Sequence, residues 1–305
     1  MNTYPTSIFN GYLLGVDGGG SGTRVILANA QGVELARAVA GPSGLGLGVE
    51  RAWQSIGEAC LRAFAAAALP FDWRACALGC GLAGVNNADW LAAFLAAAPG
   101  VHALSVESDA YTTVLGAHGG EAGVIVALGT GSIAASLDDA GVCRIAGGYG
   151  FPSGDEASGA WLGLRAVVHL QRVLDGRAAH DDWSRALLVR TGAADRDSLV
   201  VWLCAANQTA YATLAPTVFE FRDHPDAARL LEDAGREIGR LIAPLDVAGT
   251  LPVALCGGLA EPYVPFVPPA LRERLRAPLA DSAAGALRLA QRAVSASEAR
   301  HGAAR

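Results

Sequence analysis

Apolar runs of strand length alternate with amphipathic segments over the first half of the chain. The runs predict strands at residues 12–17, 23–30, 33–40, 74–82 and 102–107. Apolar residues at helical spacing predict helices at 49–68 and 88–98, and Asp109 opens a further helix. Because strands alternate with helices, the pattern is typical of an α/β fold.

The strand pattern then begins again. Strands predicted at 124–128 and 133–137 enclose a glycine turn, the arrangement also found near the N-terminus. This recurrence predicts two related lobes, which we place at residues 1–117 and 118–305. The first lobe therefore ends close to the helix that Asp109 opens.

Helical patterns dominate the remainder of the chain. Residues from 156 to about 240 are mostly helical in pattern, and an apolar strand at 253–256 follows. An alanine-rich helix at about 284–300 closes the chain. We expect this last helix to pack back toward the first lobe.

Three predicted strands end in glycine-rich turns. The first turn (18–23) consists of Gly18, Gly19, Gly20, Ser21, Gly22 and Thr23, the second (129–132) of Gly129, Thr130, Gly131 and Ser132, and the third (257–258) of Gly257 and Gly258. Glycine lets the backbone approach a ligand closely, and successive N–H groups in such turns form an anion site. Any one turn alone also fits an ordinary hairpin or strand–helix junction, but three together predict a bound nucleotide.

The first turn differs from the dinucleotide-binding fingerprint. That fingerprint has a third glycine and opens a helix, whereas Thr23 stands at the third position here and a strand follows. Asp17 ends the strand that enters this turn. A carboxylate at that place is suited to hold Mg²⁺, usually through water.

Further carboxylates lie at predicted element ends. Asp109 is placed to act as a general base toward a sugar hydroxyl, although an aspartate there also suits a plain helix N-cap. The segment 147–163 is dense in glycine and polar residues, and its Asp155 and Glu156 are suited to accept hydrogen bonds from sugar hydroxyls. Asp155 has the same alternative, since it precedes a predicted helix.

Composition excludes several classes of function. The chain has 305 residues, a net charge of -6 and no arginine-rich block, so we expect no nucleic-acid partner. Neither a secretory signal nor a membrane span is apparent, which favours a soluble cytoplasmic protein. All 23 basic residues are arginine, which excludes a lysine-containing phosphate loop. The six cysteines lack metal-site spacing, and Cys76 and Cys80, which lie in a strand-like run, are expected to be small buried apolar side chains.

The three turns, the segment 154–159 and Cys256 before the third turn resemble the BadF/BadG/BcrA/BcrD ATPase family of the actin/hexokinase/Hsp70 superfamily. Within it the chain is most similar to N-acetylglucosamine kinases and bacterial glucosamine kinases, over nearly its whole length. The resemblance implies a two-lobed α/β fold of the actin/hexokinase (ribonuclease H-like) type. It also implies that ATP, Mg²⁺ and a sugar bind in the cleft between the lobes.

The resemblance also implies roles for single residues. Turns 18–23 and 129–132 would bind phosphates, and turn 257–258 would lie near adenosine. Asp17 would serve the metal and Asp109 would be the catalytic base. The residues that would contact the sugar are Ser43, Gly44, Asp109, Gly150, Asp155 and Glu156.

The expected reaction is transfer of the ATP γ-phosphoryl group to the 6-hydroxyl of N-acetylglucosamine or glucosamine. Many N-acetylglucosamine kinases have asparagine where this chain has Gly44, so glucosamine stays open. Two alternatives are an ATPase activator of a radical dehydratase and a non-catalytic sugar sensor. An activator needs a cysteine-bound iron–sulfur cluster, and Cys143 is the only cysteine expected near the region between the lobes. A sensor needs neither Asp17 nor Asp109. The resemblance also leaves a homodimer open.

Overall fold

The computed structural model describes residues 9–303, with side chains described for residues 9–300. The chain forms two compact units, each an α/β assembly. Unit 1 contains residues 9–121, 137–141 and 278–303 of the described chain. Unit 2 contains Ala122–Ser136 and Val142–Ala277. The lobe boundary at residues 117–118 stays a prediction.

A five-stranded sheet forms the centre of unit 1, in the order β3-β2-β1-β4-β5. Its strands are β1 (Tyr12–Gly18), β2 (Thr23–Asn29), β3 (Glu34–Ala40), β4 (Cys76–Leu82) and β5 (Ala103–Ser108). β1, β2 and β3 are antiparallel neighbours, whereas β1, β4 and β5 run parallel. The carboxyl ends of β1, β4 and β5 therefore meet at one edge of the sheet.

Helices cover both faces of this sheet. The first three are α1 (Val49–Ala66), α2 (Ala88–Ala96) and α3 (Asp109–Ala117). Leu14 and Val16 pack with α1 on one face, whereas Leu13 packs on the opposite face. Because both faces are buried, β1 is an almost continuous apolar run, which explains why the sequence predicted it well.

Unit 2 has a four-stranded sheet in the order β8-β7-β6-β9. Its strands are β6 (Gly123–Leu128), β7 (Ser132–Leu137), β8 (Cys143–Gly147) and β9 (Val253–Cys256). β6 and β9 are parallel, so turns 129–132 and 257–258 follow adjacent strand ends. β8 was not predicted, because this edge strand is only partly buried and lacks a clear apolar pattern.

The segment between β8 and β9 is helical, as predicted. Its helices are α4 (Gly159–Leu174), α5 (Asp182–Thr191), α6 (Arg196–Ala205), α7 (Gln208–Ala212), α8 (Ala215–Glu220) and α9 (Pro225–Ile242). Two helices of four residues follow β9, namely α10 (Ala260–Tyr263) and α11 (Pro269–Arg272). These helices and the sheet enclose one large apolar core with Trp183 and Tyr263 fully buried.

The last helix, α12 (Ser282–Ala303), belongs to unit 1. It packs against β1, β4 and α3. Its Ala290 and Val294 join Leu13 and Ala77 in the apolar cluster on that face of the sheet. Among the described residues, no helix is both long enough and apolar enough to cross a membrane.

Candidate active site

Two carboxylates lie at the carboxyl edge of the unit 1 sheet. Asp17 precedes the last residue of β1 and is opposite Gly81 of β4, which in turn is opposite Glu107 of β5. Asp109 follows β5 directly and is the first residue of α3. The parallel register of β1, β4 and β5 thus brings together two acids that are far apart in the chain.

Asp17 is largely buried, with 18% of its side chain exposed. Burial raises its pKa above the ordinary value, and hydrogen bonds from Ser282 and Arg24 oppose that rise. The guanidinium of Arg24 lies 3.2 Å from Oδ2 and is itself 70% exposed. Within the part of the chain that the structure describes, the Asp17 carboxylate therefore has one cationic neighbour, Arg24, whose side chain is largely exposed to solvent.

Asp109 is not the N-cap of α3. Ser108 occupies the cap position, and its hydroxyl oxygen accepts from the N–H of Tyr111 at 3.1 Å. Oδ1 of Asp109 accepts from the N–H of Ala110 at 2.8 Å. Burial raises the pKa of Asp109, and the negative charge of Asp17 raises it further. The two carboxylates are therefore close enough to interact, and the capping alternative for Asp109 is wrong.

The first turn is fastened to the loop that contains Ser43 and Gly44. The N–H of Gly19 donates to the carbonyl of Gly22 at 3.0 Å. The carbonyl of Gly19 accepts from the N–H groups of Ser43 and Gly44, at 3.1 and 3.0 Å. Backbone hydrogen bonds thus fix the turn against this loop.

The Ser43 side chain supports the same turn. Its hydroxyl is fully buried and lies 2.7 Å from the hydroxyl of Thr23, which also lies 2.6 Å from the carbonyl oxygen of Gly41. In this structure the Ser43 hydroxyl therefore contacts the end of the first turn. The sugar contact for Ser43 stays a prediction.

The second turn is held by the start of α4. The N–H of Gly129 donates to the carbonyl of Gly131 at 2.9 Å. The carbonyls of Gly129 and Thr130 accept from the N–H groups of Gly159 and Ala160, at 2.8 and 3.1 Å. Because these carbonyls point toward α4, the turn is fixed on the first residues of the helix.

Asp155 lies against the second turn. It is 5% exposed, and its carboxylate accepts from the N–H of Gly150 at 3.3 Å and from Nε2 of Gln208 at 2.7 Å. Burial raises its pKa, while hydrogen bonds from Ser132, Gly150 and Gln208 oppose the rise. A Cβ at Gly131 would lie 2.7 Å from Oδ2 of Asp155, so a side chain at residue 131 would displace the Asp155 carboxylate. The helix cap is Ser158, not Asp155.

Glu156 contacts the second turn and also has an unsatisfied acceptor. Its carbonyl accepts from the hydroxyl of Ser132 at 2.6 Å. Its Oε2 is buried and has no hydrogen-bond partner among the described residues. A buried carboxylate oxygen without a donor is costly unless a ligand supplies one. Glu156, which was predicted to contact the sugar, therefore has a carboxylate oxygen that could accept a hydrogen bond from a ligand.

The third turn follows β9 beside the second turn. Gly257 has a φ of 91°, and the N–H of Leu259 donates to the carbonyl of Leu128 at 3.1 Å. Leu128 is the last residue of β6, immediately before Gly129. Turns 129–132 and 257–258 thus lie together at one edge of the unit 2 sheet. Gly258 has no neighbouring atom within 4 Å of a Cβ position, which leaves its surface open.

Magnesium suits the donors at Asp17. The described residues contain no group of three or more His, Cys, Asp or Glu side chains arranged to hold a metal. Mg²⁺ rarely needs such a cage, since it is usually held by one or two carboxylates together with phosphates and water. Asp17, beside a glycine turn, fits that kind of site.

Three residues of these sites were missed by sequence reasoning. Gln208 contacts Asp155, the Ser282 hydroxyl lowers the pKa of Asp17, and Thr112 of α3 lies 2.8 Å from Ser282. Ser282 follows an aspartate at a predicted helix start, but a helix start alone does not indicate what the side chain contacts.

The sites lie within a segment that a known family matches. The family model of the BadF/BadG/BcrA/BcrD ATPase family matches residues 14–287. The chain belongs to this family. It is 31% identical over 282 residues to the glucosamine kinase GspK of Vibrio cholerae. The aligned segment covers 92% of this chain and 95% of that protein.

Solved structures agree with this membership. A candidate N-acetylglucosamine kinase from Chromobacterium violaceum is 46% identical, with a TM-score of 0.88 over 94% of this chain and 100% of the other. A ROK family glucokinase from Streptomyces griseus, solved with glucose and AMPPNP, has a TM-score of 0.54 at 17% identity over 93% of this chain and 100% of its own. The first is a close relative, and the second shows the shared fold alone. The expected actin/hexokinase-like α/β fold is confirmed.

Proposed function

We propose that this protein is an ATP-dependent amino-sugar kinase that phosphorylates the 6-hydroxyl of N-acetylglucosamine or glucosamine. The observation that carries the proposal is the pair Asp17 and Asp109, half-buried and interacting at the edge where the first turn begins. The similarity to a glucosamine kinase and to a candidate N-acetylglucosamine kinase supports the substrate class. A cytoplasmic location and a homodimer stay predictions.

Asp109 acts as the general base in this proposal. Its carboxylate accepts the proton of the sugar 6-hydroxyl as that oxygen attacks the γ-phosphorus, and the bond to the ADP leaving group breaks. The raised pKa of Asp109 brings its basicity closer to neutral pH, which favours proton transfer. Its fixed place at the start of α3 directs the carboxylate from a rigid element.

Asp17 holds the metal in this proposal, and the turns hold the nucleotide. Mg²⁺, when bound, neutralises charge on the transferred phosphoryl group. N–H groups of turns 18–23 and 129–132 contact phosphates, and turn 257–258 lies near adenosine. Both phosphate turns are held by hydrogen bonds, so their N–H groups are ordered before the ligand arrives.

Glu156, Asp155 and Gly150 supply sugar contacts in the proposal. Glu156 has the strongest support, because its buried Oε2 lacks a donor that a sugar hydroxyl would provide. Asp155 has three protein donors already, so it also fixes the geometry of the turn. Ser43 and Gly44 belong to the loop that supports the first turn.

The alternative of a dehydratase activator has weaker support. The solved activator from Clostridium difficile is 11% identical with a TM-score of 0.52, which shows only a shared fold. The sensor alternative does not account for the interacting pair Asp17 and Asp109.

An ATP-consumption assay tests the proposal. The purified protein would be tested with Mg²⁺ and with N-acetylglucosamine, glucosamine, glucose or N-acetylmannosamine. Turnover with N-acetylglucosamine or glucosamine, and little with glucose, is the expected result, and the preferred sugar shows whether Gly44 tolerates an acetamido group. ATP binding without turnover on any sugar would contradict the proposal and favour the sensor.

A further inference from the structure

Two residues beside the second turn have a left-handed backbone although neither is glycine. Asp155 has a φ of 58° and Ala157 has a φ of 64°. A side chain makes this conformation unfavourable, so such residues persist only where the surrounding structure fixes them. Glu156, which is proposed to contact the sugar, lies between the two. The conformation of segment 155–157 therefore depends on the groups that hold its backbone.

The carbonyl of Ala157 lies just before helix α4. In a continued helix it would accept from the N–H of Trp161, four residues later. That N–H instead donates to the hydroxyl of Ser158, the N-cap of α4, at 3.1 Å. The hydroxyl of Tyr263 donates to the carbonyl of Ala157 at 2.7 Å. A side chain from a distant part of the chain thus satisfies this carbonyl.

Packing fixes the position of the Tyr263 hydroxyl. Tyr263 is the last residue of α10 and is fully buried. Its N–H donates to the carbonyl of Leu259, next to the third turn, at 3.3 Å. Its ring meets that of Phe219 edge-on, with the ring centroids 5.0 Å apart. Because Ala157 is fully buried as well, its carbonyl would stay unsatisfied without this hydroxyl unless the backbone moved.

We propose that Tyr263 is a positioning residue, whose hydroxyl keeps segment 155–157 in the left-handed conformation that presents Asp155 and Glu156 to the sugar. This inference rests on the sugar contacts of the proposed function. Without the hydroxyl, the segment would relax toward a less strained backbone. The sugar would then bind only the fraction of molecules that still have the left-handed conformation, and its apparent affinity would fall by that fraction.

Tyr263→Phe removes the hydroxyl and keeps the ring. In steady-state kinetics with ATP, Mg²⁺ and an amino sugar, this change is expected to raise the sugar KM by roughly 5–30-fold. The KM for ATP should stay near the wild-type value, because the retained ring keeps the packing of α10 beside the third turn. General damage to the fold would not affect the sugar KM alone. Tyr12→Phe removes a hydroxyl from β1 of unit 1 and is the matched control, expected to change neither constant.

Ala157→Gly tests whether the hydroxyl acts through the left-handed backbone. Glycine adopts a positive φ without the steric penalty of a Cβ. The double variant Tyr263→Phe/Ala157→Gly is therefore expected to recover much of the sugar affinity that Tyr263→Phe loses. If the double variant had the same sugar KM as Tyr263→Phe, the hydroxyl would not act by holding this conformation, and the positioning role would be wrong.

Glu156→Gln separates this inference from the proposed function. If Glu156→Gln raises the sugar KM while folded Tyr263→Phe has the wild-type value, the positioning role is wrong and the sugar contact stands. If neither variant changes the sugar KM, both the contact and the positioning role are overturned. Absence of turnover by the wild type on any amino sugar would overturn the kinase proposal itself, and this inference with it.

Discussion

The amide of Gln208 donates to the buried carboxylate of Asp155 at 2.7 Å. This bond joins the first residue of α7 to the loop behind the second turn. Gln208→Ala would leave Oδ2 of Asp155 buried without that donor, and we expect a loss of about 1–3 kcal/mol in unfolding free energy. Denaturant unfolding measures this loss.

Gln54→Ala is the control for that measurement. Gln54 is an exposed residue of α1, so its removal should change the unfolding free energy by less than about 0.5 kcal/mol. Equal stability of Gln208→Ala and Gln54→Ala would show that the contact with Asp155 contributes nothing.

Asp109→Asn tests the proposed base. The amide cannot accept the hydroxyl proton in the same way, so kcat should fall on the order of 10²–10⁴-fold. ATP affinity should change little, since Asp109 has no assigned nucleotide contact. Steady-state kinetics and nucleotide binding on the same preparation measure both quantities. Asp89→Asn, at an exposed position in the first turn of α2, is the control. An undiminished kcat in Asp109→Asn would exclude this base.

Glu156→Gln tests whether Oε2 of Glu156, which has no hydrogen-bond donor among the described residues, binds the sugar. If a sugar hydroxyl donates to Oε2, loss of the charge should weaken sugar binding by about 1.5–3 kcal/mol, and the sugar KM should rise by roughly 10–100-fold. The KM for ATP should stay near the wild-type value. Glu220→Gln, at an exposed position, should change neither constant. A normal sugar KM in Glu156→Gln would mean that this oxygen does not contact the sugar.

The surroundings of His169 predict that the free energy of unfolding depends on pH. Burial lowers its pKa, although Asp226, whose Oδ2 lies 3.6 Å from Nδ1, opposes that effect, and the ring stacks on Trp183. As pH falls below about 6.5, the unfolded chain takes up the proton first. Neutral His169 therefore contributes to the free energy of unfolding above that pH. This contribution is lost as the pH falls from there to the lower pKa that His169 has in the folded protein.

Unfolding free energies of the wild type and His169→Gln between pH 7 and pH 5 measure this contribution. The decline with falling pH should be smaller in His169→Gln than in the wild type. His180→Gln, at an exposed position, should decline like the wild type. If the unfolding free energies of the wild type and His169→Gln declined in parallel with falling pH, His169 would not be the cause of the decline.

Much of the fold could be predicted because its signals are local. β1 and β4 are apolar on both faces, and a glycine turn follows β1, so the strand and its end are apparent from neighbouring residues. Asp17 and Asp109 were found for the same reason, since each stands at the end of an apolar run. The sequence could not predict β8, an edge strand with few buried residues.

Most of the strands, the glycine turns and the acids at strand ends could be predicted from the chain, because these features depend on residues that are close together in it. The contacts made by the side chains around those acids depend on tertiary structure. Thr112 and Ser282 are 170 residues apart, and Gln208 and Asp155 are 53 apart. Such contacts depend on how closely α12 approaches α3 and where α7 lies, and packing between distant segments sets both.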